Sequence, residues 1–342
     1  MPLAKLVRPA LRGVVPRPRL FKLLDACRPV AWVWGPPGAG KTALAAGYVQ
    51  SRRLRALWYQ CDAGDADVGA FFAYLARAAR RSLPRLTKER EVAPADFARD
   101  FFRALWDRTR PPAVLVLDGY EALPPEAALH DALGEAIGQL PPEGRVIVCS
   151  RAEPPAPLAR LRANRVISTV GWSALRLTPG ETRGVLRQLA PGSSAALAAV
   201  LHERSGGWAA GIVLMQQERR GLAAERRRVP DGIVDYFANE IMAKADRETQ
   251  AILLETAFLP RFSGTMAEAL TGRAHAGRVL ARLHRDGGFV LQHAEPPVAY
   301  EYHPLVRAFL LRRAYAVLTT AGRAAIQRRA AALLERDGHV TE

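Results

Sequence analysis

Gly35-Pro36-Pro37-Gly38-Ala39-Gly40-Lys41-Thr42 is the stretch on which the reading of this chain turns. Its eight positions satisfy Gly-x-x-x-x-Gly-Lys-[Ser/Thr], with an aliphatic run, Ala31 to Trp34, before it and a helix-like stretch, Lys41 to Gln50, after it. Glycines at 35, 38 and 40 let the backbone turn tightly and bring its N–H groups against phosphate oxygens. The helix start adds unpaired N–H groups and the positive end of a dipole. Lys41 is spaced to reach β- and γ-phosphates, and the Thr42 hydroxyl to hold Mg²⁺. Pro36, Pro37 and Ala39 complete the cradle. These residues predict a P-loop for a purine nucleoside triphosphate, ATP with Mg²⁺. No guanine-selecting Asn-Lys-x-Asp occurs in the sequence, which favours adenine.

Outward from the loop, strand-like runs alternate with helical patterns. Arg55 to Cys61, Val114 to Leu117, Val146 to Ser150 and Val166 to Thr169 read as strands. Val68 to Ser82, Pro94 to Arg108 and Glu126 to Leu140 read as helices, the last with Leu129, Leu133, Ile137 and Leu140 on one face. Such alternation predicts an α/β P-loop domain with a doubly wound, mostly parallel sheet over residues 1–172. Asp118 ends the aliphatic run that starts at Ala113, in a strand expected beside the P-loop, where its carboxylate can hold Mg²⁺. Arg151 follows the strand Val146 to Ser150 at the edge where ligands of such sheets bind. It reads either as a sensor of the γ-phosphate or as a solvated loop residue.

Beyond residue 172 the pattern becomes helical. It predicts a helical domain over 173–230, a winged-helix domain over 231–316 and the start of a helical arm over 317–342. Gly288 to Gln292 and Val298 to Tyr302 are expected to pair as a hairpin across Glu295-Pro296-Pro297, ahead of a helix from Pro304.

Composition sets the outer bounds. About half of the 342 residues are apolar, enough for a sizeable core, and no run approaches the roughly 20 residues of a membrane span. Cys27, Cys61 and Cys149 are odd in number and lack ligand spacing, as expected of reduced core residues in a cytoplasmic protein. The N-terminus is basic as far as Asp25, but Val14 to Leu24 reads better as part of the folded unit than as a transit peptide. A net charge of +16 invites a nucleic-acid reading. Only five of the 49 basic residues are lysine, however, and the cations are spread along the chain, with Arg226 to Arg228 the longest pure run. Direct DNA binding by this chain is therefore not expected.

With the P-loop, Asp118-Gly119-Tyr120-Glu121 and Ser150-Arg151-Ala152-Glu153-Pro154-Pro155 in hand, the chain resembles the MalT-like branch of the STAND signal-transduction ATPases. These are the nucleotide-switched cores of large LuxR-type transcriptional activators. Arg17-Pro18-Arg19-Leu20, Ser205-Gly206-Gly207-Trp208-Ala209-Ala210-Gly211 and Glu301-Tyr302-His303-Pro304-Leu305 carry the likeness further, from about Lys5 to Leu310. The resemblance implies nucleotide-binding, helical and winged-helix domains that close over ADP and self-associate with ATP. It makes Arg17 a neighbour of the base or phosphates. His303 becomes either a contact to the phosphates or a buried structural histidine, and Trp208 a packing residue.

Two departures qualify it. The family's second acid after the Mg²⁺-linked Asp is Gly119 here, and Glu121 stands where the family has His, three residues beyond Asp118. Binding should survive this change, with hydrolysis slow or absent, a weak ATPase at most. The sensor and the DNA-reading helix-turn-helix of the family have no counterpart in these 342 residues, as in a truncated or split protein. Two further readings stay open: an autonomous ATPase acting on nucleic acid, with Arg307, Arg312 and Arg313 on its phosphates, and a nucleotide-locked scaffold that never hydrolyses.

Overall fold

The computed structural model describes residues 4–10, 13–79, 93–107, 113–217, 230–287, 289–293 and 297–336. The chain divides into two compact units, Met1–Arg176 and Leu177–Glu342. The run Arg226 to Arg228, the turn residues Glu295 and Pro296, and the far ends of the helices expected to reach Ser82 and Arg108 lie outside the described residues.

The first unit is built on five parallel strands, β1 (Val30–Trp34), β2 (Arg55–Gln60), β3 (Ala113–Asp118), β4 (Arg145–Ser150) and β5 (Ile167–Val170), in the order β2-β3-β4-β1-β5. All of β4 is buried, and β1 is buried up to Trp34. Successive side chains point to opposite faces, so this burial requires a sheet covered on both sides. Helix α1 (Pro18–Ala26) precedes the sheet, and α2 (Lys41–Ser51), α3 (Val68–Ala78), α4 (Pro94–Asp107) and α5 (Leu129–Ile137) lie between its strands, with a short helix, Ala159–Ala163, before β5. Phe97, Phe101, Phe102 and Leu105 recur at helical spacing on α4 and pack with Phe71, Phe72 and Leu75 of α3 into one core. The helix α5 is shorter than the periodicity predicted. A turn across Pro125 delays its start, and Gly138 followed by Pro141-Pro142 ends it. Leu140 still packs against the core from beyond the helix.

The strand order corrects one expectation. The strand bearing Asp118 does not adjoin β1, because β4 is inserted between them: Val33 faces Cys149, and Cys149 in turn faces Asp118. Strand order depends on crossovers rather than on local sequence, so the periodicity could not supply it.

In the second unit, helices Pro179–Leu189, Ala195–Ser205, Ala209–Gln217, Asp231–Phe237, Arg247–Thr256, Gly264–Thr271 and Ala276–Arg285 precede a hairpin of β7 (Val290–His293) and β8 (Ala299–Tyr302). The antiparallel register pairs Val290 with Tyr302 and His293 with Ala299. A third strand, β6 (Phe262–Ser263), pairs with β8. At two residues it is too short to show alternation, and the sequence did not reveal it. Helices Pro304–Val317 and Thr320–Arg336 follow.

Trp208 is fully buried at the centre of this unit. It stacks on Phe237 at 5.3 Å and meets Phe289 edge-on at 5.2 Å. Gly211 lies so near that a Cβ there would fall 2.6 Å from the indole and 3.2 Å from Leu305. His303 Nε2 shares a 2.8 Å hydrogen bond with the Ser205 carbonyl, which makes it the donor, and Nδ1 accepts from the Leu305 N–H. The Ser205–Gly211 and Glu301–Leu305 motifs are thus halves of one packed joint.

Candidate functional site

Strand β1 delivers the chain to the P-loop, and Gly40, in a left-handed conformation, caps the start of α2. The Lys41 ammonium donates to the carbonyls of Gly35 and Pro36 at 2.7 and 3.0 Å. Burial pushes its pKa down, while the charges of Glu121 and Asp118 push it back up. The Thr42 hydroxyl donates to Asp118 Oδ1 at 2.9 Å. Helix α2 packs over β4, and its first turn thereby reaches the end of β3 even though the strands are not neighbours. Asp118 is only 4% exposed. Burial raises its pKa first, the Glu121 charge adds to this, and the Thr42 bond opposes it.

A buried carboxylate against a threonine hydroxyl is a hard-oxygen pair that suits Mg²⁺. Among the described residues, no group of three or more His, Cys, Asp or Glu could hold a metal ion. A cation here would therefore share its coordination with phosphates and water, as Mg²⁺ does in nucleotide sites.

The turn after β3 carries a site residue that the sequence left in doubt. Gly119 has φ +77°, and a Cβ there would fall 2.6 Å from the amide nitrogen of Gln60. An acidic side chain at this position would be strained in the left-handed region. The backbone then makes a 3₁₀ turn, Tyr120–Ala122, which carries Glu121 back within electrostatic range of Lys41. Glu121 Oε1 accepts from Arg151 Nε at 2.9 Å, and Oε2 from the Arg151 backbone N–H at 3.1 Å. Tyr120 fixes this turn from below. Its ring meets Trp32 edge-on at 5.0 Å, and its hydroxyl bonds His130 Nδ1 at 2.8 Å. His130 Nε2 donates to the Pro124 carbonyl, so Nδ1 is the acceptor of that pair. Trp32 Nε1 also donates to the carbonyl of Ala152, bracing the turn that presents Arg151.

Lys41, Thr42, Asp118, Glu121 and Arg151 therefore converge at the carboxyl end of the sheet. Arg17 and His303 have other partners. Arg17 Nη2 donates to the Leu175 and Arg176 carbonyls at 2.8 and 3.0 Å, and Arg19 reaches those of Ala174 and Arg176. The Arg17-Pro18-Arg19 motif thus grips the end of the short helix Trp172–Leu175. His303 belongs to the second unit, in the joint described above. A cavity of about 310 Å³, lined by Arg8, Pro9, Ala10, Val14, Ala46, Gly47 and Gln50, opens on the other flank of α2. No motif in the sequence announced it.

Residues 238–321 match the MalT winged-helix domain. Over most of its length the chain is similar to MalT regulators. The HTH-type transcriptional regulator MalT of Vibrio cholerae is 27% identical over 326 residues, covering 90% of this chain and 36% of the relative. MalT of Cronobacter sakazakii is 27% identical over 339 residues, covering 93% and 37%. The chain thus spans little more than a third of the length of these curated relatives. A Walker-type ATPase of Pyrococcus abyssi shares its fold, with a TM-score of 0.56 at 13% identity over 86% of this chain and 94% of its own. The P-loop α/β unit and the winged helix are therefore as the sequence predicted. Among the described residues, no helix is long and apolar enough to cross a membrane.

Proposed function

We propose that this chain is the nucleotide-operated switch core of a MalT-like transcriptional regulator. It binds ATP and ADP with Mg²⁺ and turns ATP over slowly or not at all. The observation that carries this reading is the contact of Thr42 with the buried Asp118 beside Lys41, because that trio is the minimum a Mg²⁺-nucleotide needs. Lys41 would exchange its loop carbonyls for β- and γ-phosphate oxygens. Mg²⁺, when bound with the nucleotide, supplies charge neutralisation between the phosphates. Thr42 and Asp118 would hold it, the carboxylate directly or through water. We assign the base to the cavity beside Gly47 and Val14. Arg17 and His303 act structurally in this reading: a histidine whose Nε2 proton is given to Ser205 and whose Nδ1 is an acceptor offers no proton to a phosphate.

A switch of this kind must redistribute two states, and a shift from 1:99 to 99:1 takes about 5.5 kcal/mol of differential binding. The γ-phosphate contacts of Lys41 and Arg151, together with Mg²⁺, are the available source. Self-association with ATP, a cytoplasmic location and DNA reading by modules outside these residues complete the proposal. The alternative of an ATPase working on nucleic acid loses support from two of its three arginines. Arg307 Nε donates to the Ala257 carbonyl, and Arg312 pairs with Asp231.

The test is to denature the purified chain and identify any released nucleotide by chromatography, beside a Lys41→Ala control. ADP in the parent and none in the variant is the expected result. A parent that carries no nucleotide and also fails to bind Mg-ATP in titration would refute the reading.

A further inference from the structure

We infer that the Glu121–Arg151 pair is a latch that a terminal phosphate must open, so that the resting site favours a nucleoside diphosphate over a triphosphate. This inference rests on the nucleotide-binding reading above and adds the regulation of that site.

Three observations carry it. Both Glu121 oxygens are engaged by one residue, through the Arg151 side chain and its own backbone N–H, a two-point grip that fixes the guanidinium as well as the carboxylate. Glu121 and Arg151 both act electrostatically on Lys41, so the pair lies within range of the phosphate end. The turns that present the two residues are braced by the same buried tryptophan: Trp32 supports Tyr120 with its ring and the Ala152 carbonyl with its Nε1. The latch is therefore preset by the fold, although its side chains stay about one-third and one-quarter exposed.

The physical consequence is an exchange of partners. A diphosphate anchored by Lys41 leaves Glu121 and Arg151 paired. A γ-phosphate competes for the Arg151 guanidinium, which binds phosphate in the same fork geometry as carboxylate. Triphosphate binding must therefore break the Glu121 contact with Arg151 Nε before it gains the arginine. Glu121 stands where the family resemblance leads one to expect His, and the latch is this chain's own.

The experiment titrates the full chain with Mg-ADP and with a Mg-bound non-hydrolysable ATP analogue by calorimetry, for wild type, Glu121→Gln, Arg151→Ala and the double variant. Glu121→Gln is expected to tighten the triphosphate about three- to tenfold relative to the diphosphate, as for loss of a partly exposed charged pair. Arg151→Ala should weaken the triphosphate and leave the diphosphate within about twofold. In the Arg151→Ala background the Glu121→Gln effect should vanish, which a general loss of negative charge would not produce. Unchanged diphosphate affinity serves as the folding control. If wild type binds both nucleotides and Glu121→Gln leaves their ratio unchanged, or the effect persists without Arg151, the latch is wrong while the nucleotide site stands. If wild type binds neither, site and latch fall together.

Discussion

The P-loop site and the Trp208 joint are both built from conspicuous sequence motifs, yet they use them in opposite ways. At the P-loop site, Lys41 and Arg151 hold partners that an anion could replace: loop carbonyls for one, a part-exposed carboxylate for the other. In the joint, Trp208, Gly211, His303 and Leu305 consume one another, with the indole fully buried and His303 hydrogen-bonded at both nitrogens. A distinctive motif therefore marks either a ligand site or a packing solution, and what separates them is whether the partners of its polar atoms can be exchanged for a ligand.

Substitutions can break or sharpen that contrast. The largest effect is expected for Trp208→Ala, which should cost about 3–5 kcal/mol of the second unit's stability in denaturant titration. Nucleotide affinity should survive in the P-loop unit, and its loss in a variant that remains folded would erase the distinction. Lys41→Ala should lower Mg-ATP affinity at least about 100-fold, near 2.8 kcal/mol, with the melting temperature of the nucleotide-free chain unmoved. His303→Leu removes the Leu305 N–H's side-chain acceptor and one of the two donors to the Ser205 carbonyl, the other being the Trp208 N–H, and should cost about 1–3 kcal/mol of stability while leaving ADP affinity alone. A fall in ADP affinity without destabilisation would instead return His303 to the nucleotide.

The next effect is a pH dependence. Burial raises the Asp118 pKa, and only the ionised carboxylate serves Mg²⁺. Mg-nucleotide affinity should therefore fall as pH drops, beginning above the ordinary carboxylate range. Asp118→Asn should be weaker throughout and lack this dependence. The smallest effect belongs to Gly119→Asp, which restores the family's acid at a cost of about 1 kcal/mol from the left-handed backbone. Multiple-turnover assays should show no gain in hydrolysis, since the new side chain starts out against Gln60.

The legibility of the chain follows the same division. The P-loop and Asp118 could be read because their chemistry is local: eight consecutive residues in one case and an aliphatic strand ending in a carboxylate in the other. The alternation of strands and helices was legible for the same reason, and so was the hairpin before Pro304. What escaped depends on the third dimension. The insertion of β4 between β1 and β3 is set by crossovers. The return of Glu121 to the site needs the positive φ of Gly119, which a glycine permits but does not announce. The grip of Arg17 on Leu175 and Arg176 spans more than 150 residues of sequence, and the bond between His303 and Ser205 spans 98. The cavity beside Gly47 is a shape, and shape has no motif.

The position of Trp208 also provides an instrument. Of the six tryptophans in the chain, Trp32, Trp34, Trp58, Trp106 and Trp172 precede Leu177, and Trp208 alone follows it. A chain grown on 5-fluorotryptophan would carry six fluorine nuclei, one of which reports on the second unit without any engineered label. Ringed by Phe237, Phe289 and His303, that nucleus would register by its chemical shift any loosening of the joint, while the other five follow the first unit in the same spectrum.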